Sequence, residues 1–198
     1  MREEDFLSAF NQPWLIDKDA SEPFPAAKRP AAVLICLNPS ENGLSVIFTR
    51  RATHLKHHAG QVSFPGGKAE KSDMGVIHTA FREAEEEIGL APEHLKVIGR
   101  LPPYRTISGF AVTPIIAKHQ YGVSVPHELT IDTNEVREVF EVPLAYLMNK
   151  KNYFVQVIHR GSKEFPVHYI TYNDQVIWGA TAGMMVHLRD HILYHQSN

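Results

Sequence analysis

The chain has 198 residues, 43% of them hydrophobic, which suffices for one domain with a substantial core and does not require two. The formal net charge of −2 provides no overall basic field, so we expect no nucleic-acid partner. The N-terminus has no apolar signal region, and no run approaches the roughly 18 apolar residues of a membrane span, so we expect a cytoplasmic protein with no membrane partner.

The first thirty residues are predicted to form an N-terminal arm. Residues 3–10 have the pattern of a short helix, but four prolines then interrupt regular structure up to residue 30. Residues 31–198 are predicted to form one domain. Its first strand contains Cys36, the only cysteine, which we interpret as a buried strand residue with no disulfide partner in the chain.

Strands and a few helices alternate along the predicted domain. Strands are predicted at 31–37, 44–49, 61–64, 95–101, 112–117, 136–142, 153–159 and 167–172. Helices are predicted at 76–88, 143–149 and 181–194. Gly89 is expected to end the first of these helices in the left-handed conformation. This order predicts an α/β fold in which a mixed β-sheet is sandwiched between α-helices.

Three glutamates are predicted to share one side of helix 76–88. At about 100° per residue, Glu83, Glu86 and Glu87 lie at roughly 0°, 300° and 40°, whereas Glu85 points away at roughly 200°. Neighbouring like charges destabilise a helix, but a hard divalent cation such as Mg²⁺ or Mn²⁺ reverses that effect. Taken alone, the segment 82–89 is better explained as an acidic helix face exposed to solvent.

The order of residues Arg82 to Leu90, REAEEEIGL, is similar to the second half of the Nudix box. Upstream, Gly67 and Asp73 are separated by five residues, and eight residues follow before Arg82. This aspartate, with one extra residue, resembles the variant found in the coenzyme A pyrophosphatase branch of the Nudix hydrolases. The resemblance implies the Nudix fold for the predicted domain.

An upstream signature of the same branch, T-x-R-[SA]-x3-[RK]-x3-G-x3-F-P-G-G, is also present. Its positions are occupied by Thr49, Arg51, Ala52, Lys56, Gly60 and residues 64–67. Segments with weaker resemblance follow in the same order as in that branch, and they are 101–103, 108–109, 112–114, 135–144 and 178–183. The resemblance covers residues 31–193 and leaves the first thirty without a comparable signal.

The resemblance implies a metal site on the helix. Glu83 and Glu87 would be the primary ligands of Mg²⁺ or Mn²⁺, Glu86 a third, and a backbone carbonyl at the predicted Gly66-Gly67 turn would join them. Arg82 would hold a glutamate and the loop in place rather than act in catalysis. Asp73 is expected to support the site or cap the helix. The alternatives are a surface ion pair for Glu83 and an ordinary tight turn for the glycines.

The predicted substrate contacts lie in the upstream signature. Its cationic side chains could meet nucleotide phosphates, and the candidates are Arg50, Arg51, Lys56 and His58, with His54 and His57 beside them. Glu135 is the candidate for a further catalytic carboxylate, with Glu138 second. The alternative for the cationic side chains is a solvated basic loop. The alternative for Glu135 and Glu138 is that they are ordinary surface carboxylates. Twelve histidines without a cysteine pair do not predict a zinc site.

Together the two motifs imply hydrolysis of the pyrophosphate in coenzyme A or its thioesters, giving 3′,5′-adenosine bisphosphate and 4′-phosphopantetheine or its acyl form. One alternative is a Nudix hydrolase of another nucleoside diphosphate derivative, such as ADP-ribose or an NAD-type dinucleotide, or of an oxidised nucleoside triphosphate. Another is a nucleotide-binding Nudix module without catalysis. The resemblance also makes a homodimer an option.

Overall fold

A computed structural model describes residues 1–14, 28–160 and 163–197 of the chain. The helices are α1 (Glu3–Phe10), α2 (Val76–Ile88), α3 (Leu144–Leu147) and α4 (Gly179–Gln196). The first strands are β1 (Arg29–Ser40), β2 (Gly43–Arg51), β3 (Val62–Ser63), β4 (Gly66–Lys68), β5 (Leu95–Arg100) and β6 (Tyr104–Arg105). The remaining strands are β7 (Phe110–His119), β8 (Val136–Pro143), β9 (Tyr153–Arg160), β10 (Lys163–Tyr172) and β11 (Gln175–Trp178).

Strand β1 is the centre of the main sheet. It pairs antiparallel with β2 and β4 and parallel with β7, so the sheet is mixed. Over the described residues this sheet has eight strands, and β9, β10 and β11 form a separate antiparallel sheet. The predicted mixed sheet is therefore confirmed, although three of the strands leave it for a second sheet.

Alternate residues of β1 separate two layers of core. Ala32, Leu34 and Cys36 are buried in the cluster that includes the apolar side of α2. Residues of the opposite parity, such as Ile35 and Leu37, are buried with residues of α1 and α4. The period of two along a strand produces this division, and helices cover both faces of the sheet as predicted.

Most elements follow the predicted pattern, and the principal difference concerns Gly66 and Gly67. These glycines were predicted to form a turn, but they lie in β4 and pair with Val33 and Ala32 of β1. The turn prediction was wrong because the pairing is between distant segments, which local sequence does not reveal. A Cβ on Gly66 would also meet the backbone of Ala32 and Val33, so close strand approach explains this glycine.

Helix α1 belongs to the segment predicted as an arm, and it packs into the same core as the main sheet. Phe6 and Phe10 are 0% and 5% exposed. The Phe10 ring leaves no room for a Cβ on Gly99 of β5, and it meets His191 of α4 edge-on at 6.2 Å between centroids. The predicted arm also includes residues 15–27, which lie outside the described residues, and its boundary at residue 30 stays a prediction.

In the part of the chain that the structure describes, the helices are too short or too polar to cross a membrane.

Phe10→Ala is expected to lower the free energy of unfolding by about 3–5 kcal/mol, because it leaves a cavity between α1, α4 and Gly99. Urea unfolding followed by circular dichroism measures this change. Ser8→Ala, on the exposed side of the same helix, is the control and is expected to change stability by less than about 0.5 kcal/mol. Equal stability of the two variants would show that α1 is not part of the core.

Candidate functional site

Helix α2 places its glutamates in different environments. The helix begins and ends at the predicted residues, and Gly89 adopts φ 71° at its C-terminus, which confirms the predicted left-handed cap. Glu87 has a side chain only 3% exposed, whereas that of Glu86 is 59% exposed. Glu85 is exposed and lies away from the others, as its angle on the helix predicted. The glutamates that share one face of the helix therefore differ widely in their exposure to solvent.

The buried carboxylate of Glu87 lies between a hydrogen-bond donor and a cation. The backbone N–H of Gly66 donates to Oε2 at 3.2 Å, and Nη1 of Arg51 lies 3.7 Å from Oε1. Burial nevertheless raises the pKa of Glu87 to about 8, and the charges of Glu83 and Glu135 act in the same direction. A divalent cation beside this carboxylate would stabilise its ionised form and lower its pKa again.

Glu83 lies directly against Gly67. A Cβ built on Gly67 would overlap the carboxylate of Glu83, so only glycine leaves that carboxylate its position. Burial also raises the pKa of Glu83, partly opposed by Arg82. Strand β4 thus positions two glutamates of the helix, because the Gly66 N–H donates to Glu87 and the absence of a side chain at Gly67 leaves space for Glu83.

Arg82 organises the acidic cluster and the loop before α2. Its guanidinium donates to Asp73 at 3.0 Å, to Glu83 at 3.1 Å, to Glu86 at 2.9 Å and to the carbonyl of Lys68 at 3.2 Å. These contacts fit the predicted role of Arg82 as a clamp.

Asp73 is the buried anchor of this clamp. Its side chain, 2% exposed, accepts hydrogen bonds from Arg82, from the backbone N–H of Glu70 and from the Thr79 hydroxyl, and His78 Nδ1 lies 2.9 Å away. Arg82 above all holds the pKa of Asp73 far below its usual range. The alternative role as helix cap was wrong, because Gly75 occupies the cap position without a side-chain cap.

Glu135 lies at the end of a loop that is pinned to the site through its backbone. The Asp132 N–H donates to the carbonyl of Glu87 at 3.0 Å, and the Ala52 N–H donates to the carbonyl of Glu135 at 2.8 Å. The charge of Glu135, an exposed residue, contributes to raising the pKa of both Glu83 and Glu87, so Glu135 lies near enough to the helix to act on both carboxylates. No sequence spacing signalled this approach, because long-range backbone contacts create it.

The second candidate carboxylate, Glu138, lies elsewhere. It pairs with Arg50 at 3.3 Å and accepts a hydrogen bond from Gln175. Arg50 and Arg51 are successive residues of β2 and face opposite sides of the sheet, so only Arg51 meets Glu87. The structure does not bring Glu138 or Arg50 to the acidic cluster.

The remaining predicted substrate residues lie in the exposed loop between β2 and β3. Lys56 is exposed, and His58 is exposed with Nδ1 2.8 Å from Oε1 of Gln61. His54 Nε2 lies 3.0 Å from the carbonyl of Asn134, which ties this loop to the segment that carries Glu135. The signature loop and the loop of Glu135 therefore flank the acidic cluster together.

A divalent cation fits the chemistry of this cluster. Carboxylates with raised pKa values crowd together beside a glycine that leaves them room, and oxygen donors are what Mg²⁺ and Mn²⁺ prefer. Among the described residues, no three acidic, histidine or cysteine side chains are arranged as a group that could hold a metal ion. Glu83 and Glu86 are instead paired with Arg82.

Gly67→Ala is expected to weaken Mn²⁺ binding about 10–100-fold by displacing the Glu83 carboxylate, while thermal stability changes little because that side-chain end can move. Isothermal titration with Mn²⁺ and thermal unfolding measure the two effects. Gly66→Ala is the matched variant, and it is expected to lower stability because its Cβ meets backbone atoms. Unchanged Mn²⁺ affinity in Gly67→Ala would contradict the placement of Glu83.

Metal-free Glu87→Gln is expected to be more stable than the parent protein at pH 8 but not at pH 5. The pKa of Glu87 is raised in the fold from 4.5 to about 8, so the parent protein loses stability as pH rises through this window. The gain in Tm should be on the order of ten degrees, at about 1.4 kcal/mol per pKa unit and about 2–4 °C per kcal/mol. Thermal unfolding in EDTA measures it, and Glu85→Gln is the control. The same pH dependence in all three proteins would refute the burial effect.

Comparisons with known proteins identify the family of this chain. The family model described as NUDIX domain matches residues 27–158. An uncharacterized Nudix hydrolase NudL of Yersinia enterocolitica is 38% identical over 190 residues, which cover 94% of this chain and 93% of the relative. A protein with the same description from Yersinia pestis strain Pestoides F is 40% identical over 173 residues, covering 85% and 82%.

A solved structure supports the fold alone. The MutT/nudix family protein of Enterococcus faecalis is 13% identical, with a TM-score of 0.50 over 98% of this chain and 75% of that protein. The chain therefore belongs to the Nudix family, whose members use divalent metal ions, and it is a hydrolase of pyrophosphate bonds.

Proposed function

We propose that this protein hydrolyses the pyrophosphate bond of coenzyme A or its thioesters with Mg²⁺ or Mn²⁺, giving 3′,5′-adenosine bisphosphate and 4′-phosphopantetheine or its acyl form. One observation supports this proposal above others. The upstream signature that resembles the coenzyme A branch adjoins the glutamate helix, because Arg51 lies 3.7 Å from Glu87 and Gly66 donates to the same carboxylate.

The glutamates of α2 are proposed to hold the metal. Glu83 and Glu87 would be its primary ligands and Glu86 a third, with a backbone carbonyl at Gly67. When bound, the metal screens phosphate oxygens and lowers the pKa of its water. Glu86 reaches from solvent, whereas Glu87 is fixed in the protein.

Glu135 is proposed to accept the proton of the attacking water. Its charge acts on both Glu83 and Glu87, and its backbone carbonyl accepts a hydrogen bond from the Ala52 N–H, which places this segment beside the helix. Arg82 and Asp73 would keep the loop ahead of α2 in position throughout the reaction.

The side chains proposed to contact phosphate differ in whether other groups of the protein already engage them. Lys56 and His58 are exposed on the loop after β2, and Arg51 already lies at the cluster. Arg50 is engaged by Glu138 and Gln175 on the other face of the sheet, so its proposed contact with substrate requires that ion pair to open. Gly66 and Gly67 would let the backbone approach the pyrophosphate.

Other assignments stay predictions. Hydrolysis of another nucleoside diphosphate derivative uses the same glutamates and differs only in the substrate contacts. A binding module without catalysis would not need the acidic cluster, and its intact glutamates speak against that alternative. The homodimer likewise stays a prediction.

A substrate panel with and without Mn²⁺ is expected to show coenzyme A cleaved faster than ADP-ribose, NAD or nucleoside triphosphates. Chromatography identifies the two products.

Glu83→Gln and Glu87→Gln should each lower kcat/KM by about 10²-fold or more, and Glu135→Gln should lower kcat. Glu85→Gln, at an exposed position, is the control and should leave the activity unchanged. Faster cleavage of another dinucleotide would overturn the substrate assignment, and equal activity of all four variants would remove α2 from the mechanism.

A further inference from the structure

Arg29, Lys68 and Phe110 form a cluster that the proposed hydrolysis does not use. The Arg29 guanidinium lies over the Phe110 ring, 4.0 Å from its centroid. The Lys68 ammonium lies 5.9 Å from the same centroid. The three residues begin β1, end β4 and begin β7, so the sheet brings together segments that are far apart in the chain.

Arg29 is fixed on several sides although it is exposed. Its Nη2 donates to the carbonyl of Ser108, and Gly109 packs against the guanidinium, because a Cβ there would lie 3.5 Å from Nη2. Stacking on Phe110 sets the plane of the group. An exposed arginine normally loses side-chain entropy when it binds an anion, and this one has already lost much of it.

The turn that holds Arg29 is itself ordered. Thr106 N–H donates to the Phe110 carbonyl at 2.9 Å, and Phe110 N–H donates to the Thr106 hydroxyl at 3.1 Å. The hydroxyls of Thr106 and Ser108 lie 2.9 Å apart. The rim beside Arg29 therefore offers hydroxyl groups as well as charge, and both kinds of group bind phosphate oxygens.

The cluster carries positive charge that the described residues do not neutralise. Among residues 1–14, 28–160 and 163–197, no carboxylate forms an ion pair with Arg29 or Lys68. Arg50 and Arg51 differ in this respect, since Arg50 pairs with Glu138 and Arg51 lies near Glu87. A fixed arginine and a neighbouring lysine, without carboxylate partners among the described residues, favour an anionic ligand.

This cluster adjoins the acidic site. Lys68 follows Gly67, whose Cα faces Glu83, and consecutive Cα atoms lie about 3.8 Å apart. By strand alternation the side chains of Arg29 and Lys68 leave the sheet on the face opposite α2. A ligand that spans both places would pass over the end of β4 beside Gly67, with its pyrophosphate at the glutamates and a second anionic group at the cluster.

We propose that Arg29 and Lys68, with Arg29 oriented by Phe110, bind a phosphate monoester that the substrate carries apart from its pyrophosphate. This inference rests on the proposed function, under which that group is the 3′-phosphate of the adenosine end of coenzyme A. The cluster then acts in substrate choice. It distinguishes nucleotides with a second phosphate on the ribose from those without one.

Binding measurements without metal test the cluster directly. By isothermal titration at low ionic strength, the parent protein is expected to bind adenosine 3′,5′-bisphosphate about tenfold or more tightly than adenosine 5′-monophosphate, as one charge-assisted contact provides. Arg29→Ala and Lys68→Ala should bring this ratio close to one. Lys96→Ala, which removes an exposed charge from β5, should leave it unchanged. No preference in the parent protein, or the same preference in Arg29→Ala and Lys68→Ala, overturns the proposal.

Kinetics separate this proposal from that of hydrolysis. With Mn²⁺, the parent protein is expected to favour coenzyme A over 3′-dephospho-coenzyme A through KM, and Arg29→Ala should lose the preference while it keeps kcat. Equal cleavage of both compounds by the parent protein would overturn the subsite and leave hydrolysis intact. Cleavage of neither, with bisphosphate binding that depends on Arg29, would overturn the hydrolysis proposal and support the subsite.

Discussion

The burial of one carboxylate, that of Glu87, is the constraint on which the acidic site depends. Its side chain is 3% exposed, yet the same helix carries other glutamates close to it, so negative charge is concentrated there. The protein compensates this charge with a backbone N–H from β4 and with Arg51 from β2. Because those groups come from two strands of the central sheet, the contacts of Glu87 tie α2 to both strands.

A second interaction compensates the charge of the other carboxylates. Arg82 contacts Asp73, Glu83 and Glu86 at once, and it also holds the carbonyl of Lys68. One guanidinium thus distributes its charge over three acids and the strand beside them. Removal of Arg82 would expose every one of these acids to its neighbours, so its importance lies in electrostatics as well as in shape.

Local features of the sequence predicted the helix well and the strand contacts poorly. The extent of α2 and its glycine cap follow from periodicity and from the freedom of Gly89, which act within a few residues. The pairing of Gly66 with β1, the separation of Arg50 from Arg51 and the approach of Glu135 depend on register and loop path. Arg29 carried no signal at all, because its partner Phe110 lies 81 residues further along the chain.

The hydrogen bond from Asp132 to the carbonyl of Glu87 has a consequence for how the site is built. The last four carbonyls of any helix lack partners within that helix, and here a distant loop satisfies one of them. The same loop then carries Glu135 to the glutamates. The requirement to terminate α2 and the requirement to deliver a further carboxylate are therefore met by a single segment, and fraying of the last helical turn would disturb both.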